Sequence, residues 1–157
     1  MHPGIPLEGE ELPETFRRRG GSFAEAAMAE GLEVGERTHR YNSTPAHEAA
    51  LWADEQGRGE AFRKAVYRAY FVDNRNIGST DVLADLAAGV DLDATELRKA
   101  LAEGRYRDRV LAQFEQAHDI GVTAVPTFVA AGQGLVGAHP LENFRKLMEA
   151  AGEPPKA

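Results

Sequence analysis

Gly121-Val122-Thr123-Ala124-Val125-Pro126-Thr127-Phe128-Val129 is the stretch on which the fold turns. A proline cannot donate to a β-ladder, so Pro126 must stand at the start or edge of a strand. The apolar run it introduces is Thr127-Phe128-Val129-Ala130. Gly132-Gln133-Gly134 reads as a turn and Leu135-Val136-Gly137-Ala138 as a second short run, which together predict a β-hairpin with a Gly-rich connection. Pro140 then opens a last helix carrying Leu141, Phe144, Leu147 and Met148 on one face, ended by Gly152. Only about 5% of X–Pro bonds are cis, so local grounds alone make Pro126 trans.

Everything before this stretch reads as helix. Residues 1–10 are rich in Pro, Gly and Glu and predict an irregular lead-in. Short helices are expected over Leu12–Arg19 and, capped by Ser22, up to Gly31. Leu32 to Asn42 is extended or irregular. Thr44-Pro45 opens a strong helix with Pro at an early position, where its missing N–H costs little. Gly57 and Gly59 end it, and a second amphipathic helix follows from Glu60 to Val72. Ser79 or Thr80 caps a helix with Val82, Leu83 and Leu86. Asp93 caps the next, with Glu96 at capping-box spacing. A longer helix runs from Tyr106 to Asp119, with Val110, Leu111 and Phe114 on its core face.

The chain has 157 residues, 43% hydrophobic and 27% charged, with a formal net charge of −7. That length suits one domain, and the acidic balance speaks against nonspecific nucleic-acid or anionic-membrane binding. The Arg17-Arg18-Arg19 run is local and suits the end of a helix. No apolar run is long enough to span a membrane, and Met1–Pro6 has no signal-peptide pattern, so the default compartment is the cytoplasm. There is no cysteine, hence no thiolate nucleophile, no disulfide and no Cys-based zinc site.

Other motifs fail on context. Gly132-Gln133-Gly134-Leu135-Val136-Gly137 matches G-x-G-x-x-G, but the dinucleotide version must lead straight from a strand into a helix, and here the helix waits until Pro140. His47-Glu48 begins H-E-x-x-H, but position 51 is Leu, so the second zinc ligand is missing. The five histidines show no ligand spacing. No metal and no cofactor is expected.

The order of long helix, Ile120-Gly121-Val122-Thr123, Val-Pro-Thr-Phe, Gly turn, strand and closing helix resembles the DsbA-like thioredoxin family, and most closely its FrnE-type branch. Four segments carry the resemblance across nearly the whole chain: His2-Pro3-Gly4-Ile5-Pro6-Leu7-Glu8-Gly9; Asn42-Ser43-Thr44-Pro45-Ala46-His47; Ala69-Tyr70-Phe71 with Asn76-Ile77-Gly78; and Gly121–Phe128. The resemblance implies a mostly α (α+β) fold, the remnant of a DsbA-like thioredoxin fold. It implies a single domain over 1–157, with a helical insertion over 44–119 and a C-terminal thioredoxin part over 120–151. It makes Val125, Pro126 and Thr127 a substrate-binding cis-proline loop, with Asn42 and His47 as peripheral site residues.

The departure matters equally. The family begins with a strand, a C-x-x-C helix and a second strand, and no position here corresponds to them, so no catalytic residue carries over. The expectation is a thiol-disulfide oxidoreductase relative that is redox-silent as written, with an in-frame C-x-x-C upstream of Met1 as one origin. The alternative is a non-catalytic module that binds a peptide or a protein thiol partner. A third is a relative of the glutathione-dependent kappa-class transferases and 2-hydroxychromene-2-carboxylate isomerases, although neither Ser22 nor Ser43 stands where their serine does. A sheet cut to one hairpin leaves a bare edge and face. The helical part should therefore carry the core, and the hairpin should be covered by the N-terminal segment or paired in a homodimer.

Overall fold

A computed structural model describes residues 5–14 and 24–153. The expected helix over Leu12–Arg19, with its arginine run, and the Ser22 cap fall mainly outside these residues. The chain divides into two compact units, Met1–Leu111 and Ala112–Ala157.

The first unit is helical. Residues 24–29 form α1, followed by α2 (Thr44–Glu55), α3 (Gly59–Phe71), α4 (Thr80–Ala88) and α5 (Ala94–Ala102), with the start of α6 (Arg107–Asp119) at its end. Their starts follow from side-chain chemistry. Pro45 occupies the first turn of α2, and Asn42 Oδ1 accepts from the Thr44 N–H at 3.0 Å, satisfying an orphan donor. Ser79 caps α4. Asp93 caps α5, its Oδ1 accepting from Thr95 and Glu96 N–H at 2.8 and 3.1 Å. The reciprocal half of a capping box is not made, because Glu96 Oε1 accepts from Arg105 Nη1 instead.

The core lies between these helices. Trp52, Phe62, Leu83, Leu97 and a set of alanines from Ala46 to Ala100 form one buried cluster. Each large apolar side chain so buried contributes about 1.5–3 kcal/mol. The alanines let helix backbones approach closely where Trp52 and Phe62 fill the space between them.

A strand pair in this unit was not legible in the sequence. β1 (Glu10–Glu11) pairs antiparallel with β2 (His39–Arg40), the second of them within the segment read as extended or irregular. Two-residue polar strands carry no alternation to read. Asn42 Nδ2 donates to the Ile5 carbonyl at 2.9 Å and Asn76 Nδ2 to the Leu7 carbonyl at 2.8 Å. These bonds hold the lead-in on the helical unit.

The second unit holds β3 (Thr127–Ala130), β4 (Gln133–Val136) and α7 (Leu141–Ala150). β3 and β4 form a separate two-stranded antiparallel sheet. The turn is Ala131-Gly132, both at positive φ (+47° and +76°), the twist a two-residue hairpin requires. Gln133 and Gly134 thus belong to β4, correcting their assignment to the turn. Phe128 meets Phe144 of α7 edge-on, ring centres 4.7 Å apart. Leu111, Leu141 and Met148, expected on core faces, are exposed. Periodicity marks a face as apolar without supplying anything to cover it.

Candidate functional site

The antiparallel register fixes what the hairpin offers. The pairs are Thr127 with Val136, Phe128 with Leu135, Val129 with Gly134 and Ala130 with Gln133. The Gly137 N–H donates to the Pro126 carbonyl at 2.7 Å, which makes that pair a hydrogen-bonded one. Hydrogen-bonded and non-bonded pairs alternate, so the backbone groups of Phe128 and Ala130 point at β4. Those of Thr127 and Val129 point away, at an edge with no other strand among the described residues.

The Val125-Pro126 peptide bond is cis. Thr127 Oγ1 donates to the Ala124 carbonyl at 2.6 Å, pinning the loop to the strand it precedes. Val125 is 83% exposed at the tip, and Val129 and Val136, on the face turned away from Phe128, are 52% and 60% exposed. Val125, Pro126 and Thr127 form an exposed loop running into a strand edge that no other strand among the described residues pairs.

Asn42 and His47 lie in the other unit, Asn42 on the approach to α2 and His47 within it. Both side-chain functions of Asn42 are engaged, one capping α2 and one holding Ile5. Gly78 belongs to the same clamp. A Cβ there would come within 2.9 Å of the Asn42 carbonyl oxygen and 3.1 Å of that of Leu7. Three of the sequence segments that carried the family resemblance meet at this point, and what they build is a structural junction. His47 is in the first turn of α2 and exposed, yet protein crowded around its ring lowers its pKa below the ordinary 6.5.

Two features of this unit escaped the sequence reading. Glu48 is buried on α2 and, among the described residues, meets one cation, Arg107, whose Nε lies 3.4 Å away. A cleft of about 230 Å³ opens between α2 and α3. The aromatic spacing Tyr67, Tyr70, Phe71 was the available signal for the cleft, and it reads equally well as core. Among the described residues no group of three or more His, Asp or Glu side chains is placed to hold a metal ion. No helix among them is long and apolar enough to cross a membrane.

The chain belongs to the DSBA-like thioredoxin domain family, whose pattern matches residues 22–149. It is 32% identical over 102 residues to the uncharacterized protein YwbO of Bacillus subtilis. It spans 64% of its own length in that match and about half (51%) of that curated relative. Among solved structures it is similar to a probable DsbA oxidoreductase, SCO1869 of Streptomyces coelicolor, with 32% identity and a TM-score of 0.83, over 99% of this chain and 74% of that one. A putative protein disulfide isomerase of Nitrosomonas europaea shares the fold at 18% identity and a TM-score of 0.68, over 88% and 74% of the two chains. The mostly α architecture with one small hairpin is that of a DsbA-like thioredoxin-fold domain.

Proposed function

We propose that this chain is the client-holding part of a DsbA-like thiol-disulfide oxidoreductase of the FrnE-type branch, and transfers no disulfide by itself. Disulfide exchange begins with a thiolate attacking a disulfide sulfur and passes through a mixed disulfide that a second thiolate resolves. With no cysteine in the 157 residues, both thiolates must come from elsewhere. What the chain does supply is a surface for an extended polypeptide. The observation that carries this reading is the open edge of β3, where Thr127 and Val129 direct backbone groups outward. A peptide adding there as a third strand makes main-chain hydrogen bonds without regard to sequence, which suits an oxidoreductase with varied clients.

The test has two arms. In an insulin-reduction assay the 157-residue chain should be inert, and the same chain joined to an upstream strand–C-x-x-C helix–strand should be active. In a peptide-binding titration the chain alone should hold an unstructured peptide, and Val129→Pro, which removes an outward N–H, should weaken it at least tenfold. Reduction of insulin by the unextended chain, or peptide binding indifferent to Val129→Pro, sinks the proposal. A second reading, a homodimer through the same edge, is supported by the lack of another strand beside β3 among the described residues. It predicts that peptide binding weakens as protein concentration rises.

A further inference from the structure

We propose that the cleft between α2 and α3 is a binding site for a small, neutral aromatic molecule of one or two fused rings bearing one hydroxyl or N–H. This goes beyond the disulfide chemistry of the family and does not depend on the hairpin.

Size comes first. The cleft measures about 230 Å³, whereas apolar cavities of about 150 Å³ accept benzene. The extra half corresponds to a second ring or a substituent. The walls suit a ring system. Ala46 and Ala50 line one side, Val66, Tyr67, Tyr70 and Phe71 the other. Water is a poor occupant, since an ordered water needs two to four polar partners.

The aromatic wall is held in place from behind. Arg37 Nη2 donates to the Tyr70 hydroxyl at 2.6 Å, and its guanidinium lies over the Tyr70 and Phe71 rings at 4.7 and 5.4 Å. Tyr70 and Phe71 meet edge-on at 4.8 Å, and Tyr41 packs edge-on to Tyr70 at 6.2 Å. A wall fixed in this way does not have to order on binding, so little affinity is lost to it.

Charge selects the ligand. Arg63 reaches the lining, but its Nη1 lies 2.8 Å from both Asp54 carboxylate oxygens, so its charge is already matched. Crowding keeps His47 toward its neutral form. Among the lining residues an anion finds no unmatched arginine or lysine, and a cation no carboxylate. Ser43 supplies the polar contact. It stands at the N-cap of α2, yet its side chain makes no capping bond, because Asn42 does that work. Its hydroxyl at the cleft is available to accept from a ligand N–H or to donate to a ligand oxygen.

Indole is the probe, titrated calorimetrically into the full chain at pH 7.5, with indole-3-carboxylate and naphthalene alongside. The expected result is saturable one-to-one indole binding with a Kd below about 1 mM, and at least tenfold weaker binding of the carboxylate. Ala50→Trp, which fills the cleft, should abolish binding while the thermal midpoint holds or rises. Ser43→Ala, which leaves the packing intact, should weaken indole severalfold and leave naphthalene unchanged. Three results overturn the proposal: no saturation by indole up to its solubility, equal binding to Ala50→Trp, or binding of a tryptophan-containing peptide without binding of free indole. None of these readouts involves disulfide exchange, so failure here is separable from failure of the client-holding role.

Discussion

Replacing Glu48 by Met should stabilise the helical unit. Glu48 is 1% exposed, and Oε2 has no hydrogen-bond partner among the described residues. Its ion-pair contact among the described residues, Arg107 Nε at 3.4 Å, comes from a side chain that is 58% exposed. At an effective dielectric of about 20, a pair at that distance gains about 5 kcal/mol in gross Coulomb energy. Solvent competing for the exposed Arg107 reduces that gain. Against it stand several kcal/mol for desolvating the carboxylate and about 1–3 kcal/mol for the unmade bond on Oε2. The balance falls against the charge by about 1–3 kcal/mol, within the range seen when buried pairs give way to apolar side chains.

Urea unfolding reports this directly through Trp52, the sole tryptophan, which is buried in the same helix. Glu48→Met should raise stability by about 1–3 kcal/mol, and Arg107→Ala should lower it by about 3 kcal/mol because the carboxylate is then left alone. In the Glu48→Met background, Arg107→Ala should cost under about 0.5 kcal/mol, the usual limit for a surface change. A loss of more than about 1 kcal/mol on Glu48→Met, with Arg107→Ala neutral in both backgrounds, would refute the reasoning. It would mean that Glu48 is satisfied by something other than Arg107.

Three further outcomes follow from local geometry. Ala131 sits at φ +47° in the hairpin turn, a conformation Asn tolerates far better than Ala, so Ala131→Asn should stabilise the hairpin by about 1 kcal/mol; slower amide exchange at Phe128 and Ala130 checks it, and faster exchange contradicts it. Asn42→Ala removes the bond that caps the Thr44 N–H, of the kind worth about 0.5–2 kcal/mol, and the bond to the Ile5 carbonyl, worth about 1 kcal/mol; a total loss near 2 kcal/mol in urea unfolding is expected, and a change within about 0.5 kcal/mol would show that the clamp carries no weight. His47 has a folded-state pKa below its ordinary 6.5, so the unfolded chain binds more protons between the two values and stability falls as the pH drops below 6.5 through the folded value. His47→Gln should flatten that slope, and an unchanged slope assigns it to another group.

The helical half was largely legible because its signals are local. Pro45, Ser79 and Asp93 announce helix starts through the chemistry of unpaired N–H groups, and each stands within a residue or two of a real start. The hairpin was legible as an element but not in its turn. Gly132 and Gly134 drew the turn toward themselves, whereas the chain places a non-glycine, Ala131, in the left-handed region. Glu48 was hidden because a helix face with Ala46, Ala49 and Ala53 gives no hint that a carboxylate is buried beside them. The cleft was hidden for a different reason: a pattern of apolar residues specifies which side chains meet, not whether they fill the space between them.

The two units differ in how well they bury what they carry, and this constrains the proposed function. The helical unit encloses Phe62, Leu83 and Leu97 completely. In the second unit Leu147 is buried, while Ile120, Val125, Val129, Val136 and Leu141 stay exposed. An element with one apolar face needs a second layer against it, and a two-stranded hairpin alone is marginal in water. Whatever provides that layer has two ways to do so. A strand added to β3 uses the outward groups of Thr127 and Val129, and so consumes the edge a client peptide needs. A layer laid over the face of Val129 and Val136 leaves those backbone groups open. Client binding at β3 is compatible only with the second arrangement. If the client role is right, partners or further polypeptide of the working protein must shield Val129 and Val136 side chains while the amides of Thr127 and Val129 keep exchanging with solvent until peptide is added. Protection of those two amides in the peptide-free working protein would exclude the edge as the client site.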